Sequence, residues 1–135
     1  PNILWNTGET TETIQIHYYG RYSVRAYDGK CDATAIIEIP TCPLDIYLPN
    51  CITPTFMDGM NDVFCMTTTK IIDEFEIFIY NRWGEIVYHS TDPNFSWDGT
   101  VNGKIANNNV FSYKIIIKPV YELKKHMYSG SVFVI

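Results

Sequence analysis

Residues 75–102 decide the fold, and they read FEIFIYNRWGEIVYHSTDPNFSWDGTVN. Across residues 75–79, apolar side chains occupy every second position, which predicts one face of a half-buried strand. The NRWG tetrapeptide that follows predicts a tight turn, because Gly84 can take the positive φ that closes a short hairpin. Residues 85–89, EIVYH, then predict the returning strand.

The remainder of residues 44–135 carries the same kind of signal. Further short strands are predicted over residues 45–49, 62–67, 110–118, 121–128 and 131–135. Turn-forming residues separate these strands, with loops at 50–61 and 90–109 and a turn at Ser129-Gly130. Seven or so short strands of this kind predict an antiparallel β-sandwich, and the last two predict a terminal hairpin over residues 121–135.

Several short motifs in this part of the chain occur in a recognisable order. They are Leu48-Pro49-Asn50, Thr53-Pro54, Asp58-Gly59-Met60-Asn61-Asp62-Val63-Phe64, Ile79-Tyr80-Asn81-Arg82-Trp83-Gly84 and Trp97-Asp98-Gly99. Their order resembles the gliding-motility-associated C-terminal domain, the type B sorting signal of the Bacteroidetes type IX secretion system. The resemblance covers residues 44–135. It implies that outer-membrane secretion machinery recognises the domain, and that the parent protein crosses the periplasm to be secreted or displayed at the cell surface.

Residues 1–41 form a separate predicted module of three or four strands, one of them at residues 14–16. The order of Trp5, Tyr22 and Cys31 resembles the later half of an immunoglobulin-like repeat. Such a partial repeat would leave an open edge, which predicts packing against the second domain or a homodimer. The predicted fold class is therefore all-β, an antiparallel immunoglobulin-like β-sandwich preceded by a partial immunoglobulin-like module.

The composition is that of a packed, exported protein. Hydrophobic residues make up 46% and charged residues 19%, which argues against disorder. No apolar run approaches the roughly 20 residues of a membrane helix, and a net charge of −5 argues against the clustered cationic face that nucleic acid requires. Because the chain begins at Pro1 without a secretory signal, we expect it to be a piece of a longer exported protein. Residues 40–43, PTCP, predict the domain boundary, since proline cannot continue a β-ladder.

Two tryptophan-bearing motifs provide the candidate functional residues. They comprise Asn81, Arg82, Trp83, Gly84, Trp97, Asp98 and Gly99. Exposed tryptophan and arginine are common interface anchors, so these motifs are candidates for a recognition surface. The favoured interpretation is architectural: Trp83 and Trp97 cover the ends of the sandwich, Arg82 pairs with a carboxylate and Asp98 caps a turn. A third alternative is a sugar-binding platform of stacked aromatic side chains.

Asp58, Asn61 and Asp62 place three oxygen-bearing side chains within five positions, and oxygen ligands are those that Ca²⁺ prefers. The alternative, which the pattern favours, is that these side chains bond their own backbone in a glycine-bearing turn. The alternating ligands and final glutamate of an EF-hand loop are absent. The family usually reads Pro-Asn-Gly-Asp-Gly here, whereas this chain reads Pro54-Thr55-Phe56-Met57-Asp58-Gly59. No other cofactor is predicted.

The four cysteines are Cys31, Cys42, Cys51 and Cys65. An even number in an exported protein predicts disulfides rather than a metal or catalytic site, and three connectivities are available. The favoured bond joins Cys51 to Cys65, because it would close the loop around Asp58. In the chain-entropy model, closing a loop of this size stabilises a fold by about 3 kcal/mol. Cys31 would then pair with Cys42.

No catalytic motif is present. His17, His89 and His126 lie in separate strand-like segments, and the chain lacks a nucleophile elbow, a zinc-protease motif and a phosphate loop. We therefore predict a non-catalytic C-terminal sorting domain, with residues 121–135 as the edge that docks on its partner by strand addition or surface docking. The alternative function is a cell-surface adhesive or glycan-binding module.

Overall fold

The computed structural model describes residues 1–40 and 44–135, and these residues form strands, turns and loops without any helix. The all-β prediction is therefore confirmed. No helix long and apolar enough to cross a membrane exists in these ranges. The chain divides into two compact units, Pro1–Pro43 and Leu44–Ile135.

The first unit is one antiparallel sheet of three strands, in the order β1-β2-β3. The strands are β1 (Asn2–Trp5), β2 (Gly20–Tyr27) and β3 (Asp32–Ile39). The predicted strand at residues 14–16 is wrong. Because β1 and β3 already pair with both sides of β2, this segment has no strand to pair with there. Three residues before this segment, the Trp5 indole donates to the Thr11 carbonyl at 2.9 Å.

The first unit buries little apolar surface. No residue of the range 1–40 is buried, and Ile36 and Ile37 on β3 are each more than half exposed. The Tyr22 hydroxyl donates to the Tyr18 carbonyl at 2.7 Å, a local bond of the kind that fixes tyrosine corners. The partial immunoglobulin-like repeat and the homodimer through its open edge stay predictions.

The second unit is built on a five-stranded sheet. Its strands are β4 (Ile46–Tyr47), β5 (Cys51–Ile52), β6 (Thr67–Thr68), β7 (Ile72–Tyr80), β8 (Ile86–Ser90), β9 (Thr100–Val101), β10 (Lys104–Ile105), β11 (Asn109–Pro119) and β12 (His126–Val134). The main sheet has the order β5-β12-β11-β7-β8, and all of its pairs are antiparallel except β5 with β12. The pairs β4-β6 and β9-β10 form two small sheets, and the whole is consistent with a β-sandwich.

The core lies on one face of the main sheet. Alternate side chains of β7 and β11 point into it, as their sequence period predicts, and Ile77, Ile115 and Ile117 are completely buried. Phe64 and Trp97 also pack in this core, and their backbones form an isolated bridge with N–O distances of 2.7 and 3.0 Å. The predicted strand over residues 62–67 is thus reduced to this bridge and to β6.

The C-terminal segment is one strand rather than the predicted hairpin. Ser129-Gly130, predicted as a turn, lies within β12, where Gly130 faces Tyr113 of β11. A Cβ atom on Gly130 would lie 2.5 Å from the Tyr113 hydroxyl oxygen. Gly130 therefore provides room for a tyrosine ring across the strand pair, which is a packing role. The sequence pattern does not reveal this role, because Ser-Gly has the composition of a turn.

Sequence reasoning missed a hairpin inside the predicted loop 90–109. Strands β9 and β10 pair there around Asn102 and Gly103, whose φ angles are 53° and 81°. Two successive positive φ angles are those of a type I′ turn, for which Asn-Gly is the favoured dipeptide. The Asn-Gly signal was in the sequence, although the two strands beside it are only two residues long.

Candidate functional site

The NRWG motif forms the turn between β7 and β8. Gly84 has a φ of 82°, and the Asn81 amide N–H donates to the Glu85 carbonyl at 2.9 Å. The Asn81 side-chain oxygen accepts hydrogen bonds from the backbone N–H groups of Trp83 and Glu85 at 2.9 and 3.0 Å. Asn81 and Gly84 thus fix the backbone and leave the two middle side chains at the tip.

The architectural interpretation expected Trp83 to cover the end of the sandwich, but it does not. Its relative exposure is 74%, and the Arg82 guanidinium lies over its ring at 5.4 Å from the centroid. Arg82 donates to the Asn109 side-chain oxygen at 3.1 Å, an amide rather than the expected carboxylate. The reason is topological: a residue at the tip of a two-stranded turn has no second layer above it.

A groove of about 300 Å³ lies beside this turn. Its lining comprises Asn81, Arg82, Trp83, Val101, Ala106, Asn109, Val110 and Phe111. The Asn109 amide nitrogen already donates to the carbonyls of Ala106 and Asn107. The groove therefore offers a tryptophan face and an apolar floor, with much of its amide hydrogen-bonding capacity used within the fold.

In the second motif, Trp97-Asp98-Gly99, the tryptophan and the glycine lie inside the fold, whereas Asp98 is exposed. Trp97 is 2% exposed, packs edge-on against Phe111 at 5.0 Å and donates its indole N–H to the Thr100 carbonyl at 3.2 Å. An Asp98 carboxylate oxygen accepts from the Thr100 N–H at 3.0 Å, and hydrogen bonding with Thr100 lowers the pKa of the Asp98 carboxyl. Gly99 has a φ of 81° and is buried. The two tryptophan side chains thus differ: Trp83 is exposed and Trp97 is buried.

The candidate cation loop bonds its own backbone. Asp58 accepts from the Met60 N–H at 3.0 Å, and Asp62 accepts from the Gly59 N–H at 2.8 Å, as the turn interpretation expects. The second carboxylate oxygen of Asp62 is buried and has no hydrogen-bond partner among the described residues. No group of three or more His, Cys, Asp or Glu side chains suited to a metal occurs in that part of the chain. Calcium binding by Asp58, Asn61 and Asp62 stays a prediction.

The favoured disulfide is not formed in the structure. Cys51 and Cys65 are both half-buried free thiols. Cys51 lies in β5 beside β12, whereas Cys65 follows Phe64, whose backbone is fixed to Trp97. Cys31 is an exposed free thiol, and its expected partner, Cys42, lies outside the described residues.

The histidines do not converge on a reactive site. His89 pairs with Glu76 at 2.9 Å on the outer face of the main sheet, and His126 pairs with Glu122 at 3.2 Å. In each case a histidine on β8 or β12 contacts one carboxylate, and the two pairs are on different strands. His17 lies in the first unit and is exposed.

The edge of β12 is the least protected part of the main sheet. The Phe133 N–H donates to the Asn50 carbonyl at 2.9 Å, which directs the backbone groups of Phe133 toward β5. Because N–H and C=O groups alternate sides along a strand, those of Met127, Ser129 and Ser131 point to the same side. β5 reaches only the last two residues of β12, so these three residues have no strand partner there among the described residues. We call residues 127–131 the open edge.

The opposite edge of the sheet is protected. In β8, Tyr88 pairs with Ile79 and Ile86 pairs with Tyr80, so Val87 is an extra residue that forms a bulge. Bulges and charged side chains are common means of preventing edge-to-edge pairing. The open edge has neither, since residues 127–131 read MYSGS and pair with β11 in unbroken register.

Comparison with known proteins identifies the second unit. The family model of the CHU_C type IX secretion signal domain matches residues 46–134, which is more than half of the chain. No curated protein matches the chain. The match spans β4 to β12 and includes both tryptophan motifs and the open edge. The chain therefore belongs to the CHU_C family of type IX secretion signal domains.

Proposed function

We propose that residues 44–135 are a C-terminal sorting signal that directs a parent protein through the type IX secretion system. The domain makes and breaks no bond; its folded surface is recognised by outer-membrane secretion machinery. The parent protein then passes through the periplasm and is secreted or displayed at the cell surface. The family assignment and the presence of a separate core in this unit support this proposal.

The observation that carries the proposal is the open edge of β12. Three residues there present N–H and C=O groups in the spacing of an extended strand, without a charge or a bulge. Such an edge accepts an added strand, and main-chain hydrogen bonds supply much of the affinity in that mode of recognition. The expected docking element is therefore one uninterrupted strand, a correction to the predicted hairpin over residues 121–135.

The first prediction concerns Ser129→Pro. Proline removes the N–H that faces the open side and places its ring where an added strand would lie, while the bonds to β11 belong to the neighbouring residues. The test fuses the 135-residue chain to a secreted reporter in a host that has the type IX machinery. We expect export to fall about tenfold or more, which corresponds to a loss of about 1.4 kcal/mol in binding free energy.

Ser129→Ala is the matched control, because it removes the hydroxyl but keeps the backbone N–H. Ser129→Ala should be exported like the unaltered chain. The thermal unfolding midpoint of Ser129→Pro should lie within about 5 °C of the midpoint of Ser129→Ala. Normal export of a folded Ser129→Pro chain would refute strand addition at this edge. Truncation is a weaker test, since Val132 and Val134 are fully buried and their loss would unfold the domain.

A glycan-binding module remains the second candidate, and the exposed Trp83 favours it. A tryptophan face beside a groove is a suitable platform for a sugar ring, and Trp97 is too buried to provide one. For this candidate, a glycan array would show saturable binding that Trp83→Ala abolishes. Leu123→Ala, at an equally exposed position of 74%, should leave that binding unchanged. The absence of binding by the unaltered chain would eliminate the candidate.

A further inference from the structure

One lysine on the outer face of the main sheet lies directly beside the open edge. Lys114 of β11 pairs with Ser129, the middle residue of that edge. The next residue, Ile115, is fully buried, so the alternation along the strand places Lys114 on the outer face. Because the N–H and C=O groups of Ser129 point away from β11, the two residues form a non-hydrogen-bonded pair, in which side chains approach most closely.

The side chain of Lys114 has no partner of opposite charge. It is half-buried, and it forms no hydrogen bond or ion pair within the part of the chain that the structure describes. Glu76 lies diagonally across from it on β7 but pairs with His89 at 2.9 Å. Lys118, the other lysine of β11, pairs with Asp73 at 2.7 Å. The fold therefore leaves the charge of Lys114 uncompensated.

The side chains between Lys114 and the open edge are small. Ser129 and Ser131 are the outward residues of β12 nearest to Lys114, and both are exposed. Met127 is the one large outward residue of the edge, and it lies opposite Ile116 instead. A strand added to the open edge would lie two strand spacings from β11, about 9.5 Å. The flexible stem of a lysine and the side chain of an acidic residue can together span this distance over a serine.

An added strand would change the surroundings of Lys114. It would remove water from the side of the lysine that faces Ser129, and a charge that loses water without gaining a partner is destabilising. An outward carboxylate opposite Ser129 would offset this loss by forming an ion pair. A lysine or arginine at the same position would add like-charge repulsion. Lys114 therefore distinguishes among strands whose backbones bind equally well.

We propose that the strand that binds the open edge carries an aspartate or glutamate on its outward side opposite Ser129, and that Lys114 pairs with this residue. The inference rests on the proposed function, and the occupant is an extended peptide segment of the secretion machinery. Main-chain hydrogen bonds supply the affinity of such a strand, whereas Lys114 supplies specificity for its charge.

The export test uses the 135-residue chain fused to a secreted reporter in a host with type IX machinery. Lys114→Met removes the charge but keeps an unbranched stem, and Lys114→Arg keeps the charge. We expect export to fall about fivefold or more for Lys114→Met and to stay near normal for Lys114→Arg. Lys104→Met, at an exposed position of β10, is the matched control and should be exported like the unaltered chain.

Thermal unfolding separates this contact from folding. The unfolding midpoints of Lys114→Met and Lys104→Met should both lie within about 5 °C of the unaltered chain. Equal export of these two variants would overturn the proposal. An equal loss with Lys114→Arg would also overturn it, because export would then depend on the shape of the side chain rather than on its charge. Failure of the unaltered chain to be exported would instead reject the sorting function, and this contact with it.

A peptide array measures the preferred residue directly. The probes are three immobilised peptides of alternating threonine and valine that differ only in one central residue, which is glutamate, glutamine or lysine. The unaltered chain should bind the glutamate peptide about fivefold or more tightly than the lysine peptide, and Lys114→Glu should reverse this order.

The pattern of peptide binding separates the two levels of the proposal. The same order of binding for the unaltered chain and Lys114→Glu would overturn the role of Lys114. Equal binding of all three peptides would also do so, while leaving strand addition intact. Binding to none of them would refute strand addition itself, on which the pairing with Lys114 depends.

Discussion

Trp97→Ala is expected to reduce the unfolding free energy by about 3–5 kcal/mol, the usual cost of removing a buried aromatic side chain. Trp97 is 2% exposed and fills the space beside Phe111 and Tyr88, and its indole N–H bonds the Thr100 carbonyl. Since small domains are stable by only about 5–15 kcal/mol, the variant should be partly or fully unfolded near body temperature.

Trp83→Ala is the matched comparison, because it removes the same side chain from an exposed site. Its loss should change the unfolding free energy by less than about 1 kcal/mol, as is usual for surface substitutions. Denaturant unfolding followed by tyrosine fluorescence and circular dichroism measures both variants. Similar destabilisation by the two changes would show that Trp83 is packed and that its exposure of 74% is wrong.

Gly99→Ala should be the second strongly destabilising change, by about 2–5 kcal/mol. The φ of 81° costs an alanine about 1–2 kcal/mol. In addition, the new Cβ atom would lie 3.0 Å from a Val134 methyl carbon and 3.5 Å from one of Ile52. Val134 and Ile52 are fully buried and cannot move aside without disturbing the core, so overpacking adds about 1–3 kcal/mol.

Gly103→Ala isolates the backbone contribution. Gly103 has the same φ of 81°, and nothing lies within 4 Å of its added Cβ atom. It should therefore lose only about 1–2 kcal/mol, the conformational cost alone. Thermal unfolding of the two variants tests the difference. Equal losses would mean that the contact with Val134 does not contribute.

The main strands were predictable because their signal is local. The alternation of apolar side chains in β7 and β11 reflects a core on one face of the sheet, and that period is independent of which strands pair. The turn at Gly84 was predictable for the same reason, since a positive φ at a glycine after a strand is a local property.

Other features depended on residues distant in sequence. Ser129-Gly130 has the composition of a turn, but Gly130 is set by the Tyr113 ring on the neighbouring strand. The segment at residues 14–16 alternates like a strand, yet both sides of β2 were already occupied. A pattern of side chains predicts a propensity to extend, whereas a strand also requires a partner with free backbone groups.

By itself, the sequence determined the fold class, the strands of the main sheet and the order of motifs that mark residues 44–135. Only the tertiary structure decided which tryptophan is buried, which edge of the sheet is open and that Cys51 and Cys65 are free thiols. The physical reason is that secondary structure and motif order follow from local chemistry. The exposure of a side chain, by contrast, depends on which residues pack against it from elsewhere in the chain. No second layer covers Trp83, whereas Trp97 is enclosed by the core.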